Sequence, residues 1–205
     1  MQNIVYVIIA ITVAISYFSW QKPDLFQKLL LDPYRVVHNN EYYRIVSHGF
    51  IHANWSHLLV NMLVFWSFGS VVIQYFELTW GIYAIGLLIL LYISAIVISS
   101  LYSVAKHKDD YSYSAVGASG ATSAIIFASM FFDPWNMIYF FGVLPIPGIL
   151  FGFLYLIYSF RMAKIGNDNI GHDAHFWGAV YGFVFPMMFK PELYKYFLDK
   201  LVSLW

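Results

Sequence analysis

Read for charge, the chain divides into long silent stretches separated by short polar intervals. No Asp, Glu, Lys or Arg occurs in residues 1–21, 45–76, 78–105, 111–132 or 134–160. Each stretch is near or above the ~20 residues that a helix needs to cross the hydrocarbon of a bilayer. A sixth, 174–189, has only 16 residues and reaches spanning length when Asp173 and His172 lie at its mouth. The pattern predicts an all-α integral membrane protein, a six-transmembrane-helix bundle formed by one polytopic domain over residues 1–205. Its core is expected at about 1–190, with a short C-terminal tail at 191–205. The first stretch lacks a basic start and a small-x-small cleavage pattern, so it reads as a retained helix rather than a removed signal peptide.

The longest polar interval, residues 21–44, holds four of the eleven basic residues. Within it Leu25, Phe26, Leu29 and Leu30 recur at helical spacing, which predicts a short amphipathic helix at the bilayer surface. The other connections are short, and no repeat with a period of about 20 to 50 residues is present.

Composition narrows the function. Charged residues make up 11% of the 205 and apolar residues 60%, against about 25% charged in ordinary soluble proteins. A globule this small exposes too much surface for so few charges to cover. The formal net charge is zero, so the basic surplus that drives phosphate-backbone binding is missing and nucleic acid is not an expected partner. The chain has no cysteine, which excludes disulfides, thiolate metal sites and a cysteine nucleophile.

Polar groups inside apolar spans need partners, because hydrocarbon offers no water. Three clusters stand out. In the second span His57 and Asn61 are four apart, so on a helix they stack on one face and can donate hydrogen bonds toward one point. They would serve equally as interhelical hydrogen-bonding groups, and His48 and His52 just before them fit that structural role. At the start of the fourth span, Gly120, Ala121, Ala124 and Ala128 form a small-residue stripe for close helix packing. Ser119 points roughly opposite the stripe's centre at about 100° per residue, so packing leaves its hydroxyl unexplained. In the last span His175, Gly178 and Gly182 fall at i, i+3 and i+7. The glycines can therefore draw a neighbouring helix onto the face that carries the imidazole.

Together the clusters resemble the rhomboid family of intramembrane serine proteases. The likeness rests on His57-x-x-x-Asn61 in the second span, Gly117-x-Ser119-Gly120 opening the fourth, and Ala174-His175-x-x-Gly178-x-x-x-Gly182 in the sixth. Tyr43-Arg44 and the histidine-rich run after them look like the family's first-loop motif. The resemblance implies a Ser-His dyad with Ser119 as nucleophile and His175 as general base, needing no cofactor and no metal. His57, Asn61 and the backbone amide of Ser119 would form the oxyanion hole. It implies transmembrane protein substrates that enter laterally near the fifth span, and a cavity opening to the extracytoplasmic side under the loop at residues 161–173. Asp173 is two residues from His175, off its helix face, so a triad through it is discounted.

Two features depart from the family. Many members have an aromatic residue four positions after the nucleophile, beneath the imidazole, where this chain has Ser123. The basic residues also favour the loops opposite the termini, which the positive-inside rule would place inside, whereas the family places the termini inside. Setting aside the first loop, which the family partly embeds, nearly removes that bias. The absence of a targeting segment beyond the spans suggests a prokaryotic inner membrane. Two other readings stay open at this level: a catalytically silent, client-binding member, and a metal protein using the grouped histidines. The sequence says nothing of oligomeric state.

Overall fold

The computed structural model describes residues 1–203 apart from Phe141, Asn167 and Asn169. Its helices are α1 (Asn3–Gln21), α2 (Pro23–Leu29), α3 (Pro33–His38), α4 (Arg44–Ser47), α5 (Trp55–Trp80), α6 (Ala84–His107), α7 (Ser119–Phe132), α8 (Gly148–Ile165), α9 (His172–Phe189) and α10 (Leu193–Val202). Strands β1 (Met137–Phe140) and β2 (Leu144–Pro147) form an antiparallel hairpin with Met137 opposite Pro147.

The side chains are sorted for lipid rather than for water. On α1 the buried positions are Val5, Ile8, Thr12, Ser16 and Ser19, while Tyr6, Val7, Ile11, Tyr17 and Phe18 face outward. Small hydroxyls go inside because each finds a partner there: Thr12 donates to Ile8 O at 2.9 Å, Ser16 to Phe50 O at 3.0 Å and Ser19 to Ser16 O at 2.7 Å. Large apolar groups go outside because the hydrocarbon costs them nothing.

Among the described residues three segments are long and apolar enough to cross a membrane: Asn3–Gln21, Trp55–His107 and Gly148–Ile165. The second is the α5–α6 hairpin, whose 26- and 24-residue helices are each longer than a bilayer requires. Its turn contains Gly81 at φ +57°, where a Cβ would be strained. The shorter α7 is apolar and has 14 residues. Twelve of them are buried, Ser119 and Ile126 being the partly exposed ones. A helix apolar all round belongs in the middle of a bundle, and α7 lies against α5, α6 and α9.

The contact of α7 with α9 is made by backbone. A Cβ at Gly178 would sit 2.1 Å from Gly120 O, and one at Gly182 would sit 2.0 Å from Ala124 O. The small-residue stripe expected on α7 is thus the seat of the two glycines of α9. Gly120 itself abuts the Ser99 side chain of α6 and Ala174 O of α9.

Several expectations need correction. The short helix expected over Leu25, Phe26 and Leu29 forms as α2, and Pro33 starts a further short helix, α3, before the chain leads into α4. Leu30 is buried at its end rather than lying on a surface helix. The stretch 134–160 is not one span. Its first part is the β1–β2 hairpin, and α8 begins only at Gly148. The connection before α9 is residues 166–171, not 161–173, because α8 continues to Ile165 and α9 begins at His172. His48 and His52 do not share a helix turn: a 3-10 turn ends at Phe50, and His52 lies in the irregular chain before α5. The tail beyond Pro191 carries α10, which seals the base of α7. Tyr196 donates to Phe132 O at 3.1 Å, and Trp135 Nε1 donates to Leu201 O at 3.2 Å.

The first loop is pinned by a charge inside the protein. Arg44 is 1% exposed; its Nε pairs with Glu41 and its Nη1 donates to Gln27 O at 2.8 Å and Leu30 O at 2.9 Å. The guanidinium beside Glu41 holds that carboxyl below its usual range. Leu31 and Ala115 then exchange two backbone bonds at 3.0 Å, joining this loop to the segment that leads into α7.

Two outcomes follow for stability. Gly178→Ala is expected to separate α7 from α9 and lower stability by about 3 kcal/mol or more. Gly86→Ala, where a Cβ meets nothing within 4 Å, is expected to leave stability unchanged or raised. Thermal unfolding in detergent compares them, and equal midpoints would contradict the packing argument. Arg44→Ala is expected to cost about 3 kcal/mol, since charged hydrogen bonds and the buried stem are lost together. Glu41, with its folded value depressed, stabilises above the ordinary carboxylate range and loses that contribution as pH falls through the folded value. The acid limb of the unfolding profile is therefore expected to be flatter in Arg44→Ala than in wild type.

Candidate active site

Ser119 is the first residue of α7, half-buried, with Ala118 as the helix cap. The first-turn amides of a helix have no acceptor within it, and among the described residues the Ser119 N–H has none elsewhere. The turn that delivers it is built on Gly117, whose φ is +115°. A Cβ there would also lie 2.5 Å from His57 Cε1 and 2.7 Å from Nε2. Glycine is required twice over, by the backbone and by the imidazole laid against it.

Two buried histidines hold this turn. Gly117 N donates to His48 O at 2.9 Å, and His48 Nδ1 lies 2.9 Å from Arg44 O, so this ring nitrogen donates. Ala118 N donates to His52 Nε2 at 3.3 Å. With Nε2 accepting, the proton of His52 sits on Nδ1, 3.0 Å from Ser16 Oγ, and Ser16 passes its own proton to Phe50 O. Trp20 of α1 donates to His52 O at 2.6 Å. The structural role expected of both residues is what their partners describe.

On α5, Asn54 caps the helix by accepting from His57 N at 2.9 Å, which fixes where His57 and Asn61 begin their shared face. Asn61 is buried. One amide hydrogen goes to His57 O at 2.9 Å, and Oδ1 accepts from Thr122 Oγ1 at 3.1 Å. The second amide hydrogen has no partner among the described residues, nor do the ring nitrogens of His57. Thr122 divides its single proton between Asn61 and Ser119 O, also 3.1 Å away. Thr122 was not legible as a site residue, because its role depends on the α5–α7 contact.

His175 is half-buried in the first turn of α9, between Ala174, whose carbonyl faces Gly120, and Gly178, which rests on Gly120. The turns bearing Ser119 and His175 are thus in direct backbone contact, although no hydrogen bond joins the two side chains among the described residues. The ring of Tyr155, from α8, lies parallel to the imidazole at 6.3 Å and 22°. The Tyr155 hydroxyl is 2.7 Å from Ser123 Oγ, which donates to Ser119 O at 2.8 Å. The aromatic neighbour missing at position 123 is therefore present from another helix.

Asp173 is turned away from His175 and bonds Lys106 Nζ at 3.1 Å, as the discounted triad requires. His172 is buried edge-on to His175 with ring centroids 5.9 Å apart, and its Nε2 lies 3.1 Å from Asp168. That bond holds the Asp168 carboxyl below its usual range. Among the described residues no three His, Asp or Glu side chains are placed to hold a metal ion, and His48 and His52 already use ring nitrogens on backbone and Ser16.

A family model described as the Rhomboid domain matches residues 39–192 of this chain. Among curated proteins it is similar to "RHOMBOID-like protein 12, mitochondrial" of Arabidopsis thaliana, 24% identical over 150 residues. That match covers 66% of this chain and 43% of the relative, so the chain spans less than half the length of the protein it matches. A membrane-type helical bundle, with the family's three motifs brought to one end of α7 and its domain model matched over most of the length, establishes that the chain belongs to the rhomboid family.

Proposed function

We propose that the protein is an intramembrane serine endopeptidase that cuts single-span membrane proteins. The observation that carries this reading is the backbone contact between the turns of Ser119 and His175, with His57 and Asn61 on the opposite flank offering unpaired donors. We further propose that α1, α5, α6, α7, α8 and α9 are its six spans. Its site would open to the extracytoplasmic side of a prokaryotic inner membrane, at the end of the bundle where α7 and α9 begin.

The chemistry needs only this chain's groups. His175 accepts the Ser119 proton as Oγ attacks the scissile carbonyl carbon. The oxyanion that forms is met by the Ser119 N–H, the second amide hydrogen of Asn61 and an N–H of His57. His175 then protonates the leaving amine, and the acyl group stays on Ser119. Water, deprotonated by His175, attacks the ester carbonyl, and the proton returns to Ser119 as the acid product leaves. The dyad lacks the hydrogen bond that reaction requires, as is common before substrate binds, when catalytic contacts are long. Thr122 holds Asn61 by Oδ1, which aims its amide at the α7 N-terminus before any charge develops.

Cleavage of a tagged single-span substrate in proteoliposomes tests this. Ser119→Ala and His175→Ala are each expected to abolish cleavage while remaining folded, and Asn61→Ala to slow it by roughly 10²- to 10³-fold. Chelator is expected to have no effect. Full activity in folded His175→Ala would overturn the dyad. A folded wild type that neither cleaves a panel of substrates nor labels with a fluorophosphonate would point to a client-binding member. Loss of cleavage with chelator but not in Ser119→Ala would point to metal.

A further inference from the structure

Of the three segments long and apolar enough to span a membrane, α8 is the least buried, 17% against 28% for α1 and 39% for the α5–α6 hairpin. Its buried positions run along one face, and Tyr158 and Phe160 reach His172 and Phe176 of α9 beside it. Gly148 lies against the chain at Pro134 and Asn136, Gly152 against the Met130 side chain, and Ser159 is buried further along. Tyr155 falls on that same face at helical spacing, three residues after Gly152. Its ring also sits 5.7 Å from Phe127 of α7.

We propose that Tyr155 is the positioning residue of the catalytic pair, and that it makes the dyad depend on where α8 is docked. The assignment rests on the protease reading above. Two contacts carry it. The ring lies parallel to the His175 imidazole within the range of aromatic pairing, limiting rotation of a half-buried base that has no hydrogen bond of its own among the described residues. The hydroxyl's direction is fixed by proton counting: Ser123 gives its single proton to Ser119 O, so the 2.7 Å contact requires the Tyr155 O–H to donate to Ser123 Oγ. A relay therefore runs from Tyr155 through Ser123 to the carbonyl of the nucleophile itself. One side chain of α8 touches the base with its face and the nucleophile's backbone through its hydroxyl. When α8 moves outward both contacts break together, so base and nucleophile are aligned only while α8 is seated. Ser123 fits this arrangement because a larger residue at 123 would occupy the place of the tyrosine ring.

The test is the rate at which a fluorophosphonate labels Ser119 in the full-length protein in detergent, with thermal unfolding as the folding control. Tyr155→Leu removes ring and relay, and is expected to slow labelling about tenfold or more, as small misplacement of a catalytic group does. Tyr155→Phe and Ser123→Ala each keep the ring and cut only the relay. Each is expected to slow labelling about threefold, and the double variant no more than Ser123→Ala alone, since Tyr155→Phe removes the first bond of the relay and Ser123→Ala removes both. Recovery of most of the rate in the phenylalanine variant separates the stack from general packing. Wild-type labelling in Tyr155→Leu, or a phenylalanine variant as slow as leucine, overturns the proposal. If the leucine variant does not fold, the Phe/Ser123→Ala pair decides: additive losses, or none, overturn it. Wild type that fails to label overturns the protease reading and this assignment with it, whereas labelling in wild type beside unaffected variants overturns this assignment alone.

Discussion

The approach of α9 to α7 sets the rest of the structure. Within lipid there is no hydrophobic drive between helices, so association depends on van der Waals contact and on how closely backbones can come. Gly178 and Gly182 remove every atom between the α9 backbone and the carbonyls of Gly120 and Ala124. Helix faces are periodic, so this contact also fixes rotation. With Gly178 on Gly120, His175 one turn earlier must lie beside the first turn of α7, where Ser119 begins the helix. The residues that close the packing thereby decide where the base goes.

A second constraint follows from putting polar chemistry in a dry bundle. Each buried polar group must be satisfied by another, and here the partners form a continuous support from α1 to the nucleophile turn. Ser16 fixes the tautomer of His52, His52 receives Ala118 N–H, His48 receives Gly117 N–H through its carbonyl, and Arg44 ties that segment to the loop between α2 and α3. Few donors are left over at this end of α7: the Ser119 amide, the second hydrogen of Asn61 and the His57 ring. A supported nucleophile turn with unpaired donors converging beside it is how the proposed oxyanion site would be prepared in advance.

Much of this was legible in the sequence where the signal is local. The charge-free stretches located α1, α5, α6 and α9, and spacing of three or four placed His57 with Asn61 and His175 with Gly178 before any contact was known. The stripe of Gly120 and Ala124 was read as a packing face, and it is one. What failed depended on chain reversal or on contacts distant in sequence. The β1–β2 hairpin hides in an apolar run whose hydropathy matches that of a helix; Pro145 and Pro147 mark it only once pairing is known. The helix α10 is short and takes its partners from α7. Thr122 and Tyr155 matter through residues 61 and 32 positions away, which no periodicity within one helix reports.

The distribution of the site over the bundle also has a mechanical logic. The proposed nucleophile sits on the most buried helix, the proposed oxyanion donors on a long helix packed against it, and the proposed base on a helix locked to it by glycine. These three elements can move little relative to one another, because backbone atoms in contact have no slack to give. The aromatic neighbour of His175 belongs to α8, whose buried residues are only Gly148, Gly152 and Ser159. As the hydrolase proposed above, the protein would have to admit a helix from the side and still exclude idle turnover. On that reading, carrying the rigid chemistry on α5, α7 and α9 and the last aligning contact on the sparsely buried α8 would meet both demands with one side chain.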